Sequence, residues 1–149
     1  MIILSKRFRT GRPKIKSMNP KKIWANLAVS NLERTTKFYA GLGFKSNGAN
    51  SELTSFVVGE DGFIIHFFLK DILGTAMKGE MADTQKVNEI LFTLSADSRA
   101  RVDDWAKEVA GAGGKIVSAP EEFGKGYYGF VFADPDGHRF NVFHMEGLS

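Results

Sequence analysis

His66 and Asn141 are the residues whose placement first points to chemistry. Each stands four positions after the glycine of an acidic turn. Gly62 closes one in Phe56-Val57-Val58-Gly59-Glu60-Asp61-Gly62, and Gly137 closes the other in Ala133-Asp134-Pro135-Asp136-Gly137. Aromatic-rich runs flank both turns, Phe63-Ile64-Ile65-His66-Phe67-Phe68 after the first and Phe140-Asn141-Val142-Phe143-His144-Met145 after the second. Both stretches read as hairpins. In the second, Pro135 presets φ, Asp134 can accept from the backbone beyond it, and Gly137 supplies the positive φ of the exit. Laying Gly62 on Gly137 gives an offset of 75 residues, which also lays His66 on Asn141, so the chain carries an internal repeat. An imidazole there can ligate a metal, or simply hydrogen-bond inside a strand. An amide oxygen is a weaker metal ligand than a carboxylate.

Several other chemistries are excluded. The chain has no cysteine, which removes thiolate ligands, thiol nucleophiles and disulfides. It has no Gly-rich phosphate loop, Ser/His/Asp arrangement or dinucleotide fingerprint. Gly111-x-Gly113-Gly114 ends a helix instead of opening one, so it cradles no phosphate.

The elements that must position these residues follow from periodicity. Ile23 to Val29 reads as a strand, and Ser30-Asn31 caps a helix with Leu32, Thr35 or Thr36, Tyr39 and Leu42 on one face. Gly41 and Gly43 close that helix. Strands follow at Phe44 to Gly48, Leu53 to Val58 and Phe63 to Leu69. Residues 71–87 read as a linker carrying one helical turn. The order then repeats: a strand at Glu89 to Leu94, a helix capped by Asp97 or Ser98 with Val102, Trp105, Ala106 and Val109 as its buried stripe, and strands at Lys115 to Ser118, Tyr128 to Phe132 and Phe140 to Met145. Two βαβββ halves result, module 1 over 22–70 and module 2 over 88–146. At 149 residues, 43% hydrophobic and 25% charged, the chain is one ordinary domain's worth.

Charge is unevenly placed. Lys6, Arg7, Arg9, Arg12, Lys14 and Lys16 fall in residues 1–17 with no acid, which leaves the remainder at −3 against a formal total of +3. Residues 1–21 therefore read as a poorly ordered basic tail on a mildly acidic domain. Met18 reads as an alternative start. A basic anchor to RNA or an anionic surface is the other reading, the one route to nucleic acid. Ile2-Ile3-Leu4 precedes the basic residues, the wrong order for a secretory signal, and no apolar run is long enough to cross a bilayer. A soluble, cytoplasmic protein is expected.

Leu27-x-Val29-x-x-Leu32, then Phe38-Tyr39 and Leu42-Gly43-Phe44, together with Asp134-Pro135-Asp136-Gly137, resemble the vicinal oxygen chelate superfamily, and within it the glyoxalase I, bleomycin-resistance and extradiol dioxygenase proteins. The resemblance spans residues 22–146. It implies an α+β, glyoxalase-like fold in which two βαβββ modules form a curled mixed-sheet cup with helices outside, and it makes the cup the site. It also implies a homodimer.

Where relatives use a metal, the resemblance puts ligands at the start of each module's first strand and four residues after each turn glycine. In this chain those positions carry Trp24, His66, Glu89 and Asn141. Trp24 offers no lone pair and Asn141 only an amide, which leaves His66 and Glu89 as candidate ligands for zinc, nickel, manganese or iron. Glu89 is also the candidate general base, a role an apolar cup favours. If these positions point inward, so do their neighbours two residues away. Trp24, Asn26, His66, Phe68, Glu89, Arg139, Asn141 and Phe143 then line a pocket with flat aromatic faces and one cation for an anionic group. The resemblance thus implies a small-molecule-binding protein lacking the usual family metal site. The alternatives are a metal-dependent enzyme resembling lactoylglutathione lyase or a dioxygenase, and an interaction module acting through its tail.

Because the tail matches neither module and carries no apolar stripe, deleting residues 1–17 is expected to leave the thermal midpoint of unfolding unchanged. A large drop in a melting experiment would show that the tail packs on the domain.

Overall fold

The computed structural model of the chain describes residue 11 and residues 17–147, so most of the basic tail lies outside the described residues. Strands β1 (Trp24–Val29), β2 (Lys45–Ala49), β3 (Leu53–Val58) and β4 (Phe63–Leu69) form one sheet in the order β1-β4-β3-β2. Strands β5 (Leu91–Ser95), β6 (Lys115–Glu122), β7 (Tyr127–Ala133) and β8 (Arg139–Met145) form a second in the order β5-β8-β7-β6. In each sheet the first strand runs parallel to the last and the other pairs are antiparallel. With helices α1 (Leu32–Gly41), α2 (Lys70–Met77) and α3 (Arg99–Gly111), this is an α+β fold of two βαβββ modules.

Period-2 alternation decides which sheet face is covered. Val29, Phe56, Ile65 and Phe67 of the first sheet and Phe130, Phe132, Phe140 and Val142 of the second share one core with Phe38 and Tyr39 of α1 and with Val102 and Val109 of α3. Helix α1 is wedged between the sheets. The Tyr39 ring stacks on Phe67 at 4.4 Å and lies 6.1 Å from Phe140, and Phe38 lies 6.4 Å from Phe132. Each sheet therefore turns its covered face toward the common core and its open face away from the other sheet. Within one chain the two sheets are not closed into a cup, because a helix layer occupies the space between them.

Local sequence explains the wedge. The Asn31 side chain accepts from the Arg34 amide at 2.9 Å and starts α1, and Gly43, with φ of 85°, turns the chain out of it. The buried face is Thr35, Phe38 and Tyr39, with Leu32 and Leu42 packed at its margin. Three elements differ from the sequence expectation by more than one residue at a boundary. The linker begins with an eight-residue helix, α2, that follows β4 directly and buries Leu73. Strand β6 runs on to Glu122 through Pro120, which an edge strand tolerates, with two register shifts against β7. Strand β5 starts at Leu91, so Glu89 precedes it. Of the two possible caps for α3, Ser98 is the one that accepts from the helix, at the Arg101 amide.

The Asp-Pro-Asp-Gly turn is buried, and it joins the modules. Asp134 accepts from Tyr39 Oη at 2.7 Å, from His138 Nδ1 at 2.8 Å, and from the amides of Asp136 and His138 at 3.0 and 2.9 Å. Asp136 accepts from the Ser30 amide, Ser30 Oγ and Arg34 Nη2 of module 1. The linker straps the turn from outside: Thr84 Oγ1 donates to the Asp136 carbonyl, Gln85 to that of Pro135 and Asn88 to that of Gly137. Gly137 has φ of 95°, and a Cβ on it would collide with the Thr84 backbone, so only glycine fits. No helix among the described residues is long and apolar enough to cross a membrane.

Burial, reinforced by the adjacent Asp134 charge, pushes the Tyr39 phenol well above its ordinary value of 10.0. Tyr39 thus holds its proton more tightly folded than unfolded. Its contribution to stability is full below pH 10.0 and declines as pH rises beyond that value. Tyr39→Phe removes a donor from a buried carboxylate and is expected to cost about 1–2 kcal/mol near neutral pH. The variant should also show a shallower loss of stability above that pH than wild type, read by denaturant titration across pH.

Candidate functional site

The open face of the first sheet is built by β1 and β4, which run parallel with Trp24 beside Ile64, Asn26 beside His66 and Ala28 beside Phe68. These six residues alternate with Leu27, Val29, Ile65 and Phe67 of the covered face and so point the other way. His66 is at the centre. The Trp24 ring meets it edge-on at 6.5 Å and Phe68 at 6.0 Å. Ser55 of β3 flanks it on the other side, and Asn47 Nδ2 donates to Ser55 Oγ at 3.1 Å. Asn26, His66, Ser55 and Asn47 thus form a polar strip across an aromatic and apolar surface. The Nδ1 atom of His66 is buried with no hydrogen-bond partner among the described residues.

The second sheet repeats the arrangement. Arg139, Asn141 and Phe143 of β8 lie beside Leu91, Thr93 and Ser95 of β5 and beside Ala133, Val131 and Gly129 of β7. Phe143 stacks with Tyr127 at 6.3 Å and Tyr127 with Phe123 at 6.0 Å, making an aromatic ladder. Gly129 allows this ladder to settle, since a Cβ there would run into the Val142 carbonyl and the Phe123 ring. Arg139 Nη1, like His66 Nδ1, is buried without a partner among the described residues. A buried polar atom left unpaired costs free energy unless something else pairs it.

The structure brings Trp24, Asn26, His66 and Phe68 together on one sheet and Arg139, Asn141 and Phe143 together on the other. Within one chain it does not join the two groups. Glu89 sits apart, exposed, two residues before β5. The pairing explains why. Trp24 lies beside Ile64, two before His66, and the residue beside Arg139, two before Asn141, is Leu91. The caps agree: Asn31 stands two after Val29, and Ser98 two after Ala96, both buried. Counting back from the caps, and not from the strand hydrophobics, was the signal that would have found Leu91 as the partner of Trp24.

A divalent metal would need nitrogen or oxygen donors from these four places. Trp24 and Leu91 offer none, Asn141 a neutral amide, and only His66 an ordinary ligand. No group of three His, Asp or Glu side chains that could hold a metal ion occurs among the described residues. The residues present in one chain do not fit a catalytic metal.

Solved structures share this architecture. A hypothetical protein from S. aureus is 28% identical, with a TM-score of 0.76 over 85% of this chain and 94% of that one. A glyoxalase-related enzyme from Fulvimarina pelagi is 20% identical, with a TM-score of 0.73 over 84% and 88%. A lactoylglutathione lyase from Agrobacterium tumefaciens is 18% identical, with a TM-score of 0.63 over 85% and 95%. A search of the curated proteins finds no match. Residues 23–142 match the family profile, so the chain belongs to the Glyoxalase/Bleomycin resistance protein/Dioxygenase superfamily.

His66→Leu keeps most of the side-chain volume and removes the unpaired nitrogen. The expected result is a stability equal to wild type or higher by up to about 1 kcal/mol, measured by chemical denaturation. A loss beyond about 2 kcal/mol would show that the imidazole is satisfied within the fold.

Proposed function

We propose that the chain binds a small molecule against the open sheet faces, without the metal site usual in its family, and that a second copy completes the enclosure. The observation that carries this reading is the pair of unpaired buried atoms, His66 Nδ1 beside the Trp24 and Phe68 rings and Arg139 Nη1 on the strand that carries Asn141 and Phe143. A ligand with an acceptor for the guanidinium, a polar group for the imidazole nitrogen and a flat apolar body would satisfy both demands. The free edges support pairing of two copies: Trp24 on β1 is 52% exposed and Leu91 on β5 is 52% exposed, with Ile23 and Ile90 exposed beside them. The first sheet of one copy against the second sheet of its partner would bring His66 and Asn141 to one enclosed space.

Sedimentation and zinc calorimetry test this together. The protein is expected to sediment as a dimer, and the wild type to bind zinc weakly or not at all. The triple variant Trp24→His, Leu91→His and Asn141→Glu supplies donors at the three vacant places around His66. It is expected to gain zinc affinity by roughly a hundredfold or more and to be stabilised by added metal. Tight zinc binding by the wild type would favour a metal-dependent lyase or dioxygenase instead. A folded variant with no gain would show that the faces do not converge.

A further inference from the structure

A cavity of about 640 Å³ lies on the other side of the sheets from the proposed ligand faces, between the two modules. Phe44, Phe63 and Ile65 of the first module face Phe92, Leu94 and Trp105 of the second across it. Ile65 lines this cavity while its neighbour His66 belongs to the open face, so β4 separates two distinct sites. The volume falls in the range of pockets that hold drug-sized molecules, and it is far larger than the gaps left by ordinary packing. The wedge explains its origin. Helix α1 fills one end of the space between the sheets with Phe38 and Tyr39, while α3 packs on its own sheet and leaves the other end open.

We infer that this inter-module cleft is a second binding site, for an uncharged, flat and largely apolar molecule. Two features select that chemistry. The walls are mostly aromatic and aliphatic, and rings on opposite modules suit a planar body held between them. Lys45 from the first module and Glu108 from the second line the cleft with opposite charges, and neither has an ion-pair partner among the described residues. A net charge of either sign on the ligand would be attracted by one and repelled by the other. Because its walls come from different modules, an occupant would also brace one module against the other.

The two tryptophans of the chain make the test direct, since Trp105 lines the cleft and Trp24 the open face. The probe is N-phenyl-1-naphthylamine, which is neutral, flat and bright only in apolar surroundings, titrated into the full chain. Saturable binding is expected, and the probe should shield Trp105 from acrylamide quenching in the Trp24→Phe variant without shielding Trp24 in the Trp105→Phe variant. Filling the cleft with Val58→Phe and Leu94→Phe should weaken probe binding by roughly tenfold or more, and His66→Leu should not. Absence of saturable binding, or protection of Trp24 in place of Trp105, would overturn the inference. If the filled variant fails to fold, the two single-tryptophan variants still decide between the cleft and the open face.

Discussion

A fully buried carboxylate governs this molecule. The Asp134 side chain has no exposed surface, and an anion in that position is tolerable only if donors surround it. Four do. Two are amides of its own turn, one is the His138 ring, which must donate because an ionised carboxylate can only accept, and one is the Tyr39 hydroxyl from the other module. The last bond fixes where α1 can lie. Tyr39 must reach the turn with its hydroxyl while its ring stays stacked on Phe67, and that dual demand places the helix between the sheets. The neighbouring Asp136, held by Ser30 and Arg34, adds a second tie between the same elements.

From the position of α1 follows the division of labour between sheet faces. Residues of one parity on each strand serve the core, and residues of the other parity form the open faces of the two sheets. His66 and Arg139 belong to the second set, and their unpaired nitrogens are what a surface prepared for a ligand would display. The aromatic side chains on the same faces supply contact area at small entropic cost, since Phe, Tyr and Trp have few rotatable bonds to freeze.

Much of this was legible in the sequence, for identifiable reasons. Alternation and helical spacing are local, so the order of strands and helices, the capping by Asn31 and the equivalence of His66 with Asn141 could all be read from residue patterns. That Trp24 and Asn26 share a face followed from period-2 geometry, and that His66 shares it with them followed from the resemblance. What failed to show were features that depend on distant parts meeting. Asp134 read as a turn residue, because nothing near it in sequence announces Tyr39, which is 95 residues away. Glu89 was counted against Leu94 when the equivalent hydrophobic is Ala96, a small residue that makes a weak landmark. The cleft had no signature at all, since its walls are ordinary core residues until two modules are set a fixed distance apart.

The wedge also bears on how the chain comes apart. The ring faces of Phe132 and Phe140 in the second module are covered in part by Phe38 and Tyr39 of the first, so module 2 taken alone would present them to water. Uncovering side chains of that size costs about 1.5–3 kcal/mol each, comparable with a large fraction of a small domain's whole stability. Neither half can therefore loosen privately. The duplicated halves form a single cooperative folding unit, in which slow hydrogen exchange should extend across both sheets and the two modules should melt in one transition.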